Sequence, residues 1–306
     1  MSIDMINEVI KLRTLYVDDL KVVDAFLALL NNKNIAVPIV QPKFIWPPSA
    51  PSNAAVQWTE HQKPSEQSVV NSKSTTTTNN KYVLTDETKN CNGVVLHRIQ
   101  ATKDFNFIKA GDFGGWVEKE SNLSQNGDCW VLDNAWVYGD AKVLDNAKVL
   151  DNAKVFGNAS VSGNTRIYGS ACVSGNARVY DNALVLDNAK VFGNAKVYDS
   201  ACVFGNAKVS GGAWVFDNAV VSGGAWVFGN ARVSGSANVS DSAKVYDDAR
   251  VSGSARVFDN ASVYGNAKVF GNAKVSGSAN VYDDAEVSGS AKVYGSNVVC
   301  GNETKS

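Results

Sequence analysis

The sequence predicts an all-β fold: a single-stranded parallel β-helix of triangular section, built from hexapeptide repeats, with a small β-rich cap before it and a short helical module on a linker. Three observations carry this. Valine recurs at every sixth position from 131 to 299, with Ile167 the one exception; alanine stands two residues before it from 135 to 291, with Thr165 the exception; and Gly or Asp followed by Asn, Ser, Gly or Asp closes each unit. In an extended chain alternate side chains share a face, so the Ala and Val of Ala-x-Val point inward together. Gly, Asp and Asn tolerate the conformations of a corner. Three strands and three corners close a triangle of 18 residues, and stacked triangles pair each strand with the coils above and below. About ten coils at roughly 4.8 Å each give a rod about 45 to 50 Å long.

The elements before the repeat follow in order. Residues 1–37 place Ile6, Val9, Ile10, Leu20, Val23, Phe26, Leu27 and Leu30 at helical spacing, which predicts two short helices. All six prolines then fall in 38–80, a Pro/Ser/Thr-rich linker in which Phe44, Trp46 and Trp58 are apolar enough to dock on another surface. Residues 81–128 have strand composition broken by glycine pairs and an Asn-Gly turn signal, which predicts the β-rich cap. The repeat runs over 129–300, opened by Cys129 in the alanine position and closed by Asn297. Residues 301–306 read as a polar tail that leaves the last edge strands open, or covered by another subunit or by the N-terminal module on its linker.

The stretch LHRIQATKDFNFIKAGDFGGWVEKESNLSQNGDCWV, residues 96–131, resembles the segment preceding the β-helix in YdcK-type proteins of enteric bacteria and in many phage and prophage proteins. The matching residues are Arg98, Ala101, Asp104, Phe105, Lys109 to Gly111, Gly114 to Trp116, Asn122 to Gln125, Gly127, Cys129 and Trp130. The resemblance implies left-handed winding, with this segment capping the first coil. It also implies the label of acyltransferase that such proteins often carry, although a fold does not transfer an activity.

Bulk properties limit the function. The 29 basic and 30 acidic residues leave a net charge of −1, with no global footprint for nucleic acid. No apolar run is long enough to span a bilayer, so no membrane partner and a cytoplasmic location are expected. Five cysteines without CxxC spacing argue for reduced thiols rather than disulfides or zinc. Hexapeptide acyltransferases as a class use a histidine base. Here the two histidines are His61 in the linker and His97 in the cap, with none in the repeat. No catalytic, cofactor-binding or metal-binding residue is therefore assigned, and a small-molecule substrate is not expected.

Residues 18 apart lie above one another, so the outward positions can be read as columns. Tyr138, Phe156, Phe192, Phe228, Tyr246, Tyr264 and Tyr282 form an aromatic column and a candidate interaction edge. Leu184, Cys202 and Val220 form a candidate apolar patch. A basic column runs through Lys142, Arg178, Lys196, Arg232, Arg250 and Lys268. Asp145, Asp181, Asp199 and Asp217 at the neighbouring corners offset it, so nucleic acid is not the expected partner. The reading is a non-enzymatic scaffold that binds a protein partner or itself. A hexapeptide acyltransferase is the alternative, and a polyanion binder the third.

Overall fold

The computed structural model describes residues 80–306. The expected helical module, the linker through residue 79, and Phe44, Trp46 and Trp58 lie outside the described residues.

From Trp130 the chain makes thirty strands of two residues each, ten on each of three faces. Face 1 carries Trp136–Val137 and every third strand to Val298–Val299. Face 2 runs from Lys142–Val143 to Thr304–Lys305, and face 3 from Trp130–Val131 to Lys292–Val293. All pairing within the array is parallel and steps by 18 residues, as in Lys190↔Lys208 and Val191↔Val209. The N–H of Lys190 donates to Ala207 O and that of Phe192 to Val209 O, both at 2.9 Å.

The inward columns are closed to solvent, with Ala207, Val209, Ala225 and Val227 all fully buried. Thr165 fits the alanine column because its hydroxyl donates to Ser162 O at 2.6 Å, which leaves no lone buried donor. Each corner has one residue in the left-handed region, either Gly or Asp; Gly175 has φ 67° and Asp217 has φ 59°. Aspartate adds something glycine lacks. Its carboxylate accepts the N–H of the corresponding corner residue one coil on, as Asp145 Oδ2 does from Gly163 at 2.9 Å and Asp217 Oδ2 from Gly235 at 2.8 Å.

The cap covers the first coil on all three sides. Strands β1 (Tyr82–Cys91) and β2 (Val94–Ala101) form an antiparallel hairpin whose Asn92-Gly93 turn has positive φ at both residues, the primed geometry such a pair favours. Strand β3 (Phe113–Val117) pairs antiparallel with β2 and parallel with Trp136–Val137, so it converts the hairpin into the first rung of face 1. Its glycine pair is steric in origin. A Cβ on Gly114 would stand 2.6 Å from Val131 O, and one on Gly115 2.7 Å from Ala135 O. The free edge of β1 is blunted by a register shift between Leu84 and Thr88 and by exposed Asp86 and Glu87.

Over face 2, a short 3-10 turn (Glu120–Asn122) buries Asn122, whose side-chain amide donates to Gly139 O at 3.0 Å and Ala141 O at 2.8 Å. Inside the array the equivalent carbonyls, Gly175 O and Ala177 O, take backbone N–H groups from Asn158 and Ser160. One side-chain amide thus replaces two donors of the absent coil. Over face 3, the Lys81 ammonium donates to Cys129 O at 2.8 Å and Gly127 O at 3.1 Å. Tyr82 donates its hydroxyl to Leu123 O at 2.7 Å and packs edge-on against the buried Trp130.

Residues 301–306 differ from the expected tail. Thr304–Lys305 pair with Glu286–Val287 as a further rung of face 2, with Gly301 at φ 62° in the corner. The backbone pattern of a Gly-Asn corner and a strand survives there although Lys305 stands in the valine position. No helix among the described residues is long and apolar enough to cross a membrane.

Candidate interaction faces

Because Val137 points inward, both Trp136 and Tyr138 point outward, and every face presents two parallel outward columns. The adjacency is direct: Trp226 lies 4.7 Å from Phe228 between ring centroids and donates its indole N–H to Ser210 Oγ at 3.2 Å. The aromatic column of face 1 is a ladder in two pieces. Tyr138 and Phe156 stack at 5.0 Å, and Phe228, Tyr246, Tyr264 and Tyr282 stack at 4.8 to 4.9 Å with interplanar angles of 12° or less. Phe192 stands between Ser174 and Ser210 and extends neither piece. Stacking directs ring faces at one another and leaves ring edges and the half-buried hydroxyls toward solvent. Burial pushes the Tyr138 hydroxyl pKa up to about 12.

A second ladder, which the sequence reading did not pick out, lies on face 2. Tyr180, Tyr198 and Phe216 stack at 4.9 and 5.0 Å. The signal was the same 18-residue spacing in another column. Beside it Trp214 is held between Lys196 at 4.3 Å and Arg232 at 4.9 Å from its ring centroid.

Leu184, Cys202 and Val220 are brought together, partnered in register on face 3, with Asn238 next. Leu184 is only 8% exposed, whereas Cys202 and Val220 are half-buried, so the column is partly covered and Leu184 offers little surface. The five cysteines are free thiols. Asp181, Asp199 and Asp217 do form a row, and each carboxylate is turned to a backbone N–H of the next coil, at 3.4, 3.2 and 2.8 Å. His97 lies in β2 with Nδ1 3.1 Å from Thr85 O. A shallow, open cleft of about 440 Å³ runs beside the first coil between Glu120, Gln125, Lys142 and Leu144.

These features define a parallel β-solenoid protein of hexapeptide repeats with a built cap. Its repeats are YdcK-like: the YdcK β-solenoid repeat model matches residues 243–257. A 40-residue stretch is 48% identical to the uncharacterized acetyltransferase YdcK of Escherichia coli K12. That match spans 13% of this chain and 12% of the relative's length.

Proposed function

We propose that the chain is a non-catalytic β-solenoid scaffold of phage or prophage type, acting in the cytoplasm, which binds a protein partner or a second copy through the aromatic edge of face 1. The observation that carries this reading is the unbroken Phe228, Tyr246, Tyr264, Tyr282 ladder on a face whose backbone is fixed rung by rung. A rigid row of amphipathic rings contributes contact area at little cost in side-chain entropy, which is the use interfaces make of tyrosine. The repeat also contains no histidine, and His97 hydrogen-bonds a backbone carbonyl within the cap.

The second reading, acetyl transfer, is favoured by the name of the Escherichia coli relative. Two measurements separate them. Sedimentation of the full chain and capture of host proteins on it are expected to weaken in a Tyr246→Ser/Tyr264→Ser variant that retains its melting temperature. Acetyl-CoA turnover that is present in the wild type and lost in His97→Ala overturns the scaffold reading.

A further inference from the structure

Charge is mixed around the first half of the rod but segregated around the second. Over residues 232–292, faces 2 and 3 and the corner between them carry Arg232, Arg250, Lys268, Arg256, Lys274 and Lys292 against one acid, Glu286, with Glu303 and Lys305 following in the last rung of face 2. The corner itself is uncharged and, apart from Phe270, built of small polar residues and glycine: Ser234-Gly235-Ser236, Ser252-Gly253-Ser254, Phe270-Gly271-Asn272 and Ser288-Gly289-Ser290. The acids of these coils gather on the opposite side, where Asp241, Asp247, Asp248, Asp259, Asp283 and Asp284 face only Lys244. In the first half the same corner holds Asp145, Asp181, Asp199 and Asp217, which is why a column averaged over its whole length reads as neutralised.

Arg232↔Arg250, Arg250↔Lys268, Arg256↔Lys274 and Lys274↔Lys292 are direct register partners, as Lys148↔Arg166, Arg178↔Lys196 and Lys190↔Lys208 are elsewhere on the rod, so like charges sit on neighbouring strands, an arrangement that destabilises a sheet. Lys268 is relieved by Glu286 at 2.7 Å. Among the described residues no acid pairs with Arg250, Lys274 or Lys292, and all three are exposed. In the middle of this ridge Phe270 is 37% exposed. Its ladder neighbours are Ser252 and Ser288, so its ring faces are not covered by other rings as those of Tyr246 and Tyr264 are.

From this charge segregation we infer that the ridge between faces 2 and 3, over residues 232–292, binds the phosphodiester backbone of nucleic acid without reading sequence. Two rows of cations on either side of an uncharged corner are complementary in charge to the phosphates of a nucleic-acid backbone. Guanidinium and ammonium groups contact phosphate and carry no base specificity. Phe270 supplies an apolar group that packs against a sugar or an unstacked base. Binding of this kind is weak, with Kd of roughly 10⁻⁴ to 10⁻⁶ M at physiological salt, and strongly salt-dependent. The inference is independent of the aromatic edge of face 1.

Fluorescence anisotropy of the full chain with a labelled mixed-sequence duplex, a labelled single strand and labelled heparin tests it. Six cations set an upper limit of about −5 on the slope of log K against log salt for duplex DNA. The ridge variant is Arg250→Ser/Lys268→Ser/Lys274→Ser, which the fold tolerates because Ser160 and Ser262 already occupy equivalent outward positions. It is expected to lose most of the binding and to flatten the slope by about one for each cation removed. Phe270→Ser is expected to weaken binding with the slope unchanged. Removal of three cations from face 1, Lys190→Ser/Lys208→Ser/Lys244→Ser, is expected to change neither. Equal losses in the two triple variants, no binding at low salt, or binding of heparin without either nucleic acid overturns the inference.

Discussion

Replacing Asn122 with leucine tests whether one side chain closes the open end of the rod. The substitution keeps the volume close but removes a buried amide that donates to Gly139 O and Ala141 O and whose Oδ1 accepts the Lys119 N–H at 2.9 Å. An orphaned buried polar group costs about 1 to 3 kcal/mol. Two abandoned carbonyls therefore predict a loss of about 2 to 6 kcal/mol. In a domain of this size 1 kcal/mol lowers Tm by about 2 to 4 °C, so the global limit is a drop of at least about 4 °C. Repeat arrays contact only their neighbours, so the loss is expected first in the cap and last in the distal coils. Tryptophan fluorescence, to which Trp116 and Trp130 in and beneath the cap contribute, should therefore change before the far-ultraviolet circular dichroism of the rod. Asn122→Asp adds a pH readout. A carboxyl group facing two carbonyls has its folded pKa raised, so its stability is fully present below the unfolded aspartate value of about 3.9 and is lost as pH rises through the folded pKa. A leucine variant whose fluorescence and dichroism melt together at the wild-type temperature would refute the proposed role.

Four further outcomes follow from the same geometry. Ala207→Leu is expected to destabilise by about 1 to 3 kcal/mol through overpacking, while Lys208→Leu on the exposed face stays within about 0.5 kcal/mol; equal losses would place the wrong face inside. Asp217→Gly keeps the left-handed corner and is expected to cost about 1 kcal/mol for the lost bond to Gly235. Asp217→Val also forces a β-branched residue to φ 59° and should cost clearly more by chemical denaturation. A fragment starting at Cys129 is expected to aggregate where one starting at Lys81 stays soluble, and a monomeric, folded 129–306 fragment would show the cap to be dispensable. Alkaline titration should loosen the cap. Burial raises the pKa of the Tyr82 hydroxyl and of the Cys129 thiol, so their stabilisation is intact below their unfolded values of about 10 and 8.5 and is lost as pH climbs through the folded ones. Lys81, whose pKa burial lowers, works the other way over part of that range. Tyr82→Phe should therefore unfold less steeply with alkali than the wild type, and an unchanged profile would remove Tyr82 from the account.

The architecture was legible because the period of six encodes both the inward pair and the corner, and no tertiary accident can change one unit without its neighbours. Val, Ala and the Gly or Asp that follows were enough to assign every inward column. The cap was legible as β-rich but not as a mechanism. Nothing in the sequence alone shows that Asn122 spans two carbonyls of another strand, or that Lys81 reaches Cys129, because both contacts depend on where the chain re-enters after β3. The end was misjudged for a related reason. GNETKS reads as a short polar tail, while the coil is propagated by backbone hydrogen bonds and a permissive corner, which Gly301 and Asn302 supply.

The outward columns show where reading by position works and where it stops. Tyr246 over Tyr264, or Leu184 over Cys202, follows from arithmetic once the coil has 18 residues. The openness of a column does not. Leu184 is buried and Cys202 half-buried whereas Phe270 is exposed, although all three occupy outward positions of the same repeat. Charge behaves likewise. Summed along one column the lysines and arginines look neutralised, and summed around the coil they separate into a basic ridge and an acidic flank only after residue 231. Apart from Thr165 and Ile167, the fold holds its Ala and Val interior constant from Ala135 to Val287, so variation along the rod falls almost entirely on these outer positions. A chain with a uniform interior can differ from coil to coil only in what its outer columns display, and the ladders and the ridge are the largest of those differences.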